Sequence, residues 1–242
     1  MTLAPAMDIL PADVWAEHVA GLLADRLATR PDLVVCLPTG STPGPVYDAL
    51  PGILRARSLS TAAVTVVLLD EYVGLAAGHP ARCDSMLRRG LLDRLDPGVA
   101  GFISFDVDDL SPQAACRRVD AAMRAAGGLD LVVLGLGRNG HIGMNEPGSA
   151  PDAPTRPVEL TSSTRDAAIG YGADPPPKHG VTLGIAAILG AREIWLLATG
   201  AAKAEVLSRT LDGPATTDVP ASLLRGHPGL RIFVDDEAAR SS

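Results

Sequence analysis

The chain has 242 residues, 47% of them apolar, which is enough to bury a sizeable core and excludes a disordered protein. Its formal net charge of −7 and its aromatic content of 3% disfavour nucleic-acid binding and attachment to anionic membranes. No apolar run reaches the length of a membrane span, and Asp8, Asp13 and Glu17 exclude an ordinary signal peptide. The three cysteines lie far apart without metal-ligand spacing, which predicts reduced thiols, no metal site and a cytoplasmic location.

Apolar strands alternate with amphipathic helices along the chain. The predicted strands are Leu33–Leu37, Val64–Leu69, Phe102–Phe105 (the weakest), Leu131–Leu136, Ile194–Ala198 and Leu230–Val234. The predicted helices are Asp13–Thr29, Gly44–Arg55, Ser85–Arg94, Pro112–Ala126, Ala201–Leu211 and Ala221–Arg225. This alternation predicts one α/β domain, residues 1–242, with a doubly wound, mainly parallel, Rossmann-like sheet flanked by helices.

The segment 149–178 differs from the rest of the chain because it is rich in Pro, Ala and Asp. It is too long for an ordinary connection within a compact domain. We therefore predict that this lid segment covers a binding site.

Polar clusters follow four of the predicted strands, and the carboxyl ends of parallel strands are where such sheets bind ligands. The first cluster comprises Thr39, Gly40, Ser41 and Thr42, which precede a predicted helix. Backbone N–H groups at a helix N-terminus, together with hydroxyl groups, form an anion site. The alternative is a plain helix cap, for which Thr42 alone would suffice.

The second cluster is the pair of adjacent carboxylates Asp70 and Glu71. Neighbouring side chains on an extended segment point to opposite sides, so one carboxylate can face the site while the other makes structural contacts. A lone Asp at a strand end is more often a turn or cap residue than a base. The three other clusters at the same edge favour Asp70 as a catalytic candidate.

The third cluster is the glycine-rich loop Gly135–Gly148, which carries Asn139, His141 and Glu146. Histidine titrates near neutral pH, and Glu146 could orient it, so general acid–base chemistry is favoured over a purely structural histidine. The loop also matches a dinucleotide-binding pattern formally. We reject that interpretation because His141 and Pro147 stand where a helix would have to run.

The fourth cluster contains Lys203 in the first turn of a predicted helix. A cation there opposes the helix dipole, and a bound anion would explain it. The alternative is an ordinary solvated lysine. In the third cluster, Arg138 is either an exposed or structural charge or a residue that reaches an anion.

Taken together, these segments resemble the glucosamine-6-phosphate deaminase family over nearly the full chain. The similar motifs are Pro38–Pro43, Leu69–Leu75, His79-Pro80, Gly135–Gly148, Pro177-Lys178 and Thr199–Lys203. The related 6-phosphogluconolactonases share the fold and a similar glycine–histidine loop. They typically have Asp-Glu-Arg where this chain has Asp70-Glu71-Tyr72, and they lack the triplet Asn145-Glu146-Pro147.

The resemblance implies an aldose–ketose isomerisation coupled to deamination, with no metal and no organic cofactor. His141, oriented by Glu146 and Asn139, would assist opening of the pyranose ring, and Asp70 would move a proton from C2 to C1. The phosphate ligands implied are Thr39, Gly40, Ser41, Thr42 and Lys203.

The chain departs from the family in its lid segment. Family lids place a phosphate-binding arginine shortly after a Thr-Arg pair like Thr164-Arg165, and the matching position here is about Gly170. Arg82 is a candidate replacement for this arginine. The expected partner is a small amino-sugar phosphate, and neither nucleic acid nor membrane is expected.

Two alternatives remain open to the sequence. One is a lactonase-like hydrolase, which would not need Asp70 as a carbon base. The other is a non-catalytic sugar-phosphate sensor, against which the intact set Asp70, His141 and Glu146 argues. The sequence is also compatible with a homo-oligomer.

Overall fold

The computed structural model describes residues 5–240. Its ten strands are β1 (Ala6–Leu10), β2 (Val34–Leu37), β3 (Thr65–Leu68), β4 (Asp70–Val73), β5 (Gly101–Ile103), β6 (Leu131–Gly135), β7 (Arg156–Glu159), β8 (His179–Thr182), β9 (Glu193–Ala198) and β10 (Leu230–Asp235). The α-helices are α1 (Ala12–Thr29), α2 (Gly44–Ala56), α3 (Cys83–Gly90), α4 (Pro112–Ala125), α5 (Ser162–Gly170), α6 (Ile185–Leu189) and α7 (Ala204–Leu211). Short 3₁₀ helices cover Leu92–Arg94, Ala201–Lys203 and Pro220–Gly226.

Seven strands form a parallel sheet in the order β1-β10-β9-β6-β2-β3-β5. The central strands β2, β6 and β9 are almost entirely buried. Because helices cover both faces, these strands are continuous Val, Ile and Leu runs rather than alternating ones. The predicted α/β fold class, a mainly parallel sheet flanked by helices, is therefore confirmed.

A second, antiparallel sheet of three strands, in the order β4-β8-β7, was not predicted from the sequence. Its strands are only four residues long and carry charged or polar residues, so they lack the apolar run that marks a buried strand. The chain enters this sheet directly from the parallel one. Leu69 separates β3 from β4: its N–H donates to Leu37 of the parallel sheet, and its carbonyl accepts from Leu183 beyond β8.

Other differences concern strand β1 and the helix ends. The edge strand β1 was missed because three of its five residues are exposed and none is buried, so it lacks the apolar run of a buried strand. The predicted helix 85–94 is the shorter helix α3, which ends at Gly90 and is followed by a 3₁₀ turn. The predicted helices 201–211 and 221–225 begin with, or consist of, 3₁₀ turns.

The lid segment contains regular structure. Strand β7 pairs with β8, and Thr161 caps the N-terminus of helix α5, where its hydroxyl accepts from the N–H of Thr164. Within residues 5–240, no helix combines the length and apolarity needed to span a bilayer.

Candidate active site

A cavity of about 620 Å³ lies at the carboxyl edge of the parallel sheet. Eight of the nine site residues predicted from the sequence line it: Thr39, Gly40, Ser41, Thr42, Asp70, Asn139, His141 and Lys203. The ninth, Glu146, lies behind His141 rather than on the cavity wall. Four segments that are distant in the sequence therefore meet at one cavity.

The loop 39–42 connects β2 to α2 and presents the N-terminus of that helix to the cavity. Gly40 has φ of +121°, a conformation that residues with a side chain rarely adopt. The loop thus places hydroxyl groups and a helix N-terminus at one point of the wall, which suits a phosphate.

Asp70 lies where the chain passes from the parallel sheet to the antiparallel one, and only 9% of it is exposed. Burial raises the pKa of Asp70 to about 6, although the charge of His141 and a hydrogen bond from the Cys83 thiol act in the opposite direction. Gly143, at φ of +57°, packs against this carboxylate: a Cβ there would lie 3.3 Å from Asp70 Oδ2 and 2.9 Å from Thr182 Oγ1. The backbone of the glycine-rich loop therefore helps to enclose Asp70.

Glu71 points away from the cavity and is fully buried. It accepts hydrogen bonds from the backbone N–H groups of Tyr72 (2.7 Å), Cys83 (2.9 Å) and Asp84 (2.9 Å). These contacts hold the N-terminus of α3 against β4. The two neighbouring carboxylates face opposite sides, as the extended conformation predicts.

Arg82 is buried, and it does not line the cavity. Its guanidinium lies 2.6 Å from Asp108, 3.3 Å from Asp84 and 3.6 Å from Glu71. The suggestion that Arg82 replaces a lid arginine is therefore wrong, because its charge is already neutralised by these carboxylates.

His141 is oriented by Asn139. The amide oxygen of Asn139 accepts from the backbone N–H of His141 (3.1 Å) and lies 2.8 Å from its Nδ1, while the amide nitrogen donates to Glu146 (2.8 Å). Because an amide oxygen can only accept, Nδ1 carries the proton of the neutral ring, and Nε2 is left with its lone pair. The ring lies over Gly137, where any Cβ would overlap the imidazole.

Glu146 is surrounded by donors. It accepts from Asn139, from Thr161 (3.1 Å) and from Thr164, and it lies 3.5 Å from Nδ1 of His141. Burial alone would raise the pKa of Glu146, but the interactions with His141, Thr164 and Asn139 outweigh it and lower the pKa to about 2. Glu146 is therefore a permanent negative charge next to His141, fixed from one side by the lid segment.

Lys203 donates from Nζ to the carbonyl of Leu136 (2.7 Å), which holds the ammonium group at the cavity. Burial lowers the pKa of Lys203, and the nearby charge of Arg138 lowers it further. Arg138 itself is exposed and lines the same cavity.

Sequence reasoning missed Tyr171 and Cys83, which also line the cavity. Tyr171 directly follows α5, and its hydroxyl lies close to Gly40 of the loop 39–42. Burial raises the pKa of this phenol, so it is neutral at physiological pH. Neither residue has a local sequence signal, because each reaches the site only through the packing of its helix.

A larger cleft of about 790 Å³ lies at the opposite, amino edge of the sheet, and none of the predicted site residues lines it. Two of its arginines are paired with carboxylates: Arg26 lies 2.8 Å from Glu193, and Arg30 lies 2.7 Å from Asp130. The predicted acid–base residues Asp70 and His141 line the cavity at the carboxyl edge, which is therefore the candidate active site. Within residues 5–240, no group of three His, Cys, Asp or Glu side chains is placed to hold a metal ion.

The chain is similar to known proteins over most of its length. The chain is 42% identical to a glucosamine-6-phosphate deaminase of Streptomyces coelicolor over 94% of this chain and 88% of that protein. It is 41% identical to a glucosamine-6-phosphate deaminase of Rhodopirellula baltica over 97% and 96% of the two chains.

Solved structures extend the comparison. A structure described as a monomeric glucosamine-6-phosphate deaminase superimposes with a TM-score of 0.89 at 33% identity, covering 97% of this chain and 98% of that chain. A 6-phosphogluconolactonase from Trypanosoma brucei, at 23% identity and a TM-score of 0.70 over 97% of each chain, shares the fold. The family model described as glucosamine-6-phosphate isomerases/6-phosphogluconolactonase matches residues 11–232. The chain therefore belongs to the family of glucosamine-6-phosphate isomerases and 6-phosphogluconolactonases.

Proposed function

We propose that the protein is a glucosamine-6-phosphate deaminase that converts glucosamine 6-phosphate and water to fructose 6-phosphate and ammonia. The observation that carries the proposal is one cavity shared by a buried carboxylate, an oriented histidine and an anion-binding loop with a lysine. The relatives that bear this name over nearly the whole chain support it.

The phosphate group would bind to the loop 39–42 and to Lys203. The N-terminus of α2 contributes backbone N–H groups, the loop contributes hydroxyls, and Lys203 contributes a charge. This placement would extend the sugar across the cavity towards His141 and Asp70.

His141 would open the pyranose ring. Its Nε2 lone pair takes the proton of the C1 hydroxyl, and the resulting imidazolium gives a proton to the ring oxygen. Glu146, 3.5 Å from Nδ1, stabilises the positive charge of that intermediate state. Asn139 keeps the imidazole ring of His141 in the required tautomer.

Asp70 would then move a proton from C2 to C1. The aldehyde of the open chain acidifies C2, so the carboxylate can act without a metal or an organic cofactor. Proton return at C1 gives a C2 imine, and addition of water to that imine releases ammonia and leaves the ketone. With a pKa of about 6, Asp70 is ionised at neutral pH but remains basic enough to accept a carbon-bound proton.

The test is to measure ammonia and ketose phosphate released from glucosamine 6-phosphate, with hydrolysis of 6-phosphogluconolactone measured in parallel. We expect stoichiometric release of both deamination products and solvent exchange of the C2 hydrogen. Lactone hydrolysis without deamination would instead identify a lactonase, and substrate binding without either reaction would identify a sensor. The cytoplasmic location and the oligomeric state stay predictions.

A further inference from the structure

The order of the parallel strands places Arg138 between the two parts of the proposed phosphate site. Strand β6 pairs with β2 on one side and with β9 on the other. The loop 39–42 follows β2, Arg138 follows β6, and Lys203 follows β9. The carboxyl ends of adjacent parallel strands lie side by side. Since β6 is the middle strand of the three, Arg138 lies between the loop 39–42 and Lys203.

The side chain of Arg138 is available for a ligand. It is exposed, it lines the cavity, and no carboxylate of residues 5–240 pairs with it. Arg26 and Arg30, by contrast, are held by Glu193 at 2.8 Å and by Asp130 at 2.7 Å. The guanidinium of Arg138 is therefore free to contact an anion in this cavity.

Arg138 and Lys203 also repel one another across the cavity. Burial is the main cause of the lowered pKa of Lys203, and the charge of Arg138 is the second. A dianionic group between the two cations would remove this repulsion and form charge-assisted hydrogen bonds with both. The pair thus favours a doubly charged ligand over a neutral one.

We propose that Arg138 is a second cationic ligand of the substrate phosphate group and determines, together with Lys203, the preference for a phosphorylated sugar. The proposal rests on the proposed function for the identity of the substrate. The planar guanidinium of Arg138 can bind two phosphate oxygens at once, which the ammonium of Lys203 cannot do.

Besides Asp70, a second carboxylate faces the same cavity. Asp166, on helix α5 of the lid segment, is exposed and lines the cavity wall. Its carboxylate weakens the attraction for an anion there. Removal of this charge should therefore act in the opposite direction to removal of Arg138.

The kinetic test compares Arg138→Ala, Arg138→Lys and Asp166→Asn on glucosamine 6-phosphate. We expect Arg138→Ala to raise KM about tenfold to a hundredfold with little change in kcat, as the loss of a charge-assisted contact to phosphate implies. Arg138→Lys should recover part of the affinity, and Asp166→Asn should lower KM. Arg117→Ala, which removes an exposed arginine of α4 outside the cavity, is the matched control and should leave KM unchanged.

Titration with inorganic phosphate separates this proposal from the proposed function. If the wild-type protein does not deaminate glucosamine 6-phosphate, the function fails, yet phosphate binding still reports on Arg138. We expect Arg138→Ala to weaken phosphate binding by a similar factor, and the loss to shrink at high ionic strength. Unchanged phosphate affinity and unchanged KM in Arg138→Ala would overturn the proposal.

Discussion

Asp70 and Glu146 are both carboxylates of the same site, yet their surroundings act on them in opposite directions. Asp70 lies in a buried corner formed by Leu69, Cys83 and Gly143, and burial raises its pKa to about 6. Glu146 has hydrogen-bond donors and His141 around it, and its pKa falls to about 2. The difference shows how one functional group becomes a proton acceptor in one position and a fixed charge in another.

The largest expected effect comes from removing the proton acceptor. Asp70→Asn should reduce kcat/KM by about 10²-fold to 10⁴-fold or more and abolish solvent exchange at C2, because the substitution removes the proposed proton acceptor. Steady-state kinetics and NMR detection of exchange measure both quantities. Retained exchange would mean that another residue is the base.

The same substitution should stabilise the fold. The pKa of Asp70 rises from 3.8 to about 6 on folding, so the folded state holds the proton more tightly than the unfolded chain. Ionisation of Asp70 therefore lowers the free energy of unfolding of the protein as pH rises from about 4 to about 6, by about 3 kcal/mol at most. Urea denaturation at pH 7 should show Asp70→Asn to be more stable than the wild type.

Glu146→Gln should give a smaller loss of activity and the opposite change in stability. We expect kcat/KM to fall about tenfold to a hundredfold, because the His141 imidazolium loses its counter-charge.

The lowered pKa of Glu146 contributes stability above about pH 4.5 that is lost as pH falls towards about 2, so the neutral amide should destabilise the fold by about 3 kcal/mol at most at pH 7. Denaturation of Glu146→Gln and Asp70→Asn under identical conditions checks the opposite signs. Equal signs would contradict the contrast between the two sites.

The smallest expected effect is that of pH on the wild-type enzyme. Protonation of Asp70 should make kcat/KM fall below about pH 6 by up to tenfold per pH unit, because the protonated carboxyl cannot accept the C2 proton. Because the pKa of Glu146 is about 2, its protonation should not lower kcat/KM in this pH range. Kinetics from pH 4.5 to 8, with circular dichroism to verify folding, measure the limb. A profile that stays flat down to pH 4.5 would show that Asp70 has an ordinary pKa or a different role.

The parallel core could be predicted because its strands are continuous apolar runs, and the loops after β2, β6 and β9 could be placed with it. The antiparallel sheet could not, because β4 (Asp70–Val73) and β7 (Arg156–Glu159) are short and charged. Tyr171 and Cys83 were missed for a different reason. Their positions depend on how α5 and α3 pack, which local sequence does not specify.

Arg82 also shows that local sequence does not specify the long-range contacts of a side chain. From the sequence, an arginine close to the site motifs was a reasonable candidate for a phosphate ligand. In the structure, three carboxylates surround it, and two of them, Glu71 and Asp108, come from other segments of the chain. Whether an arginine is free or neutralised depends on these long-range contacts. Arg138, which has no such partner among residues 5–240, has the opposite outcome.

The sheet order also constrains how this chain can be built during translation. Strand β1 is made before the other strands, but its neighbour in the sheet is β10, which leaves the ribosome more than 200 residues later. The pairs β2–β3 and β3–β5 can form much earlier. Strand β1 therefore stays unpaired until β10 has been synthesised. Its side chains Met7 and Ile9 are exposed even in the folded protein. Nascent chains that stall before residue 230 should therefore expose the unpaired edge of β9.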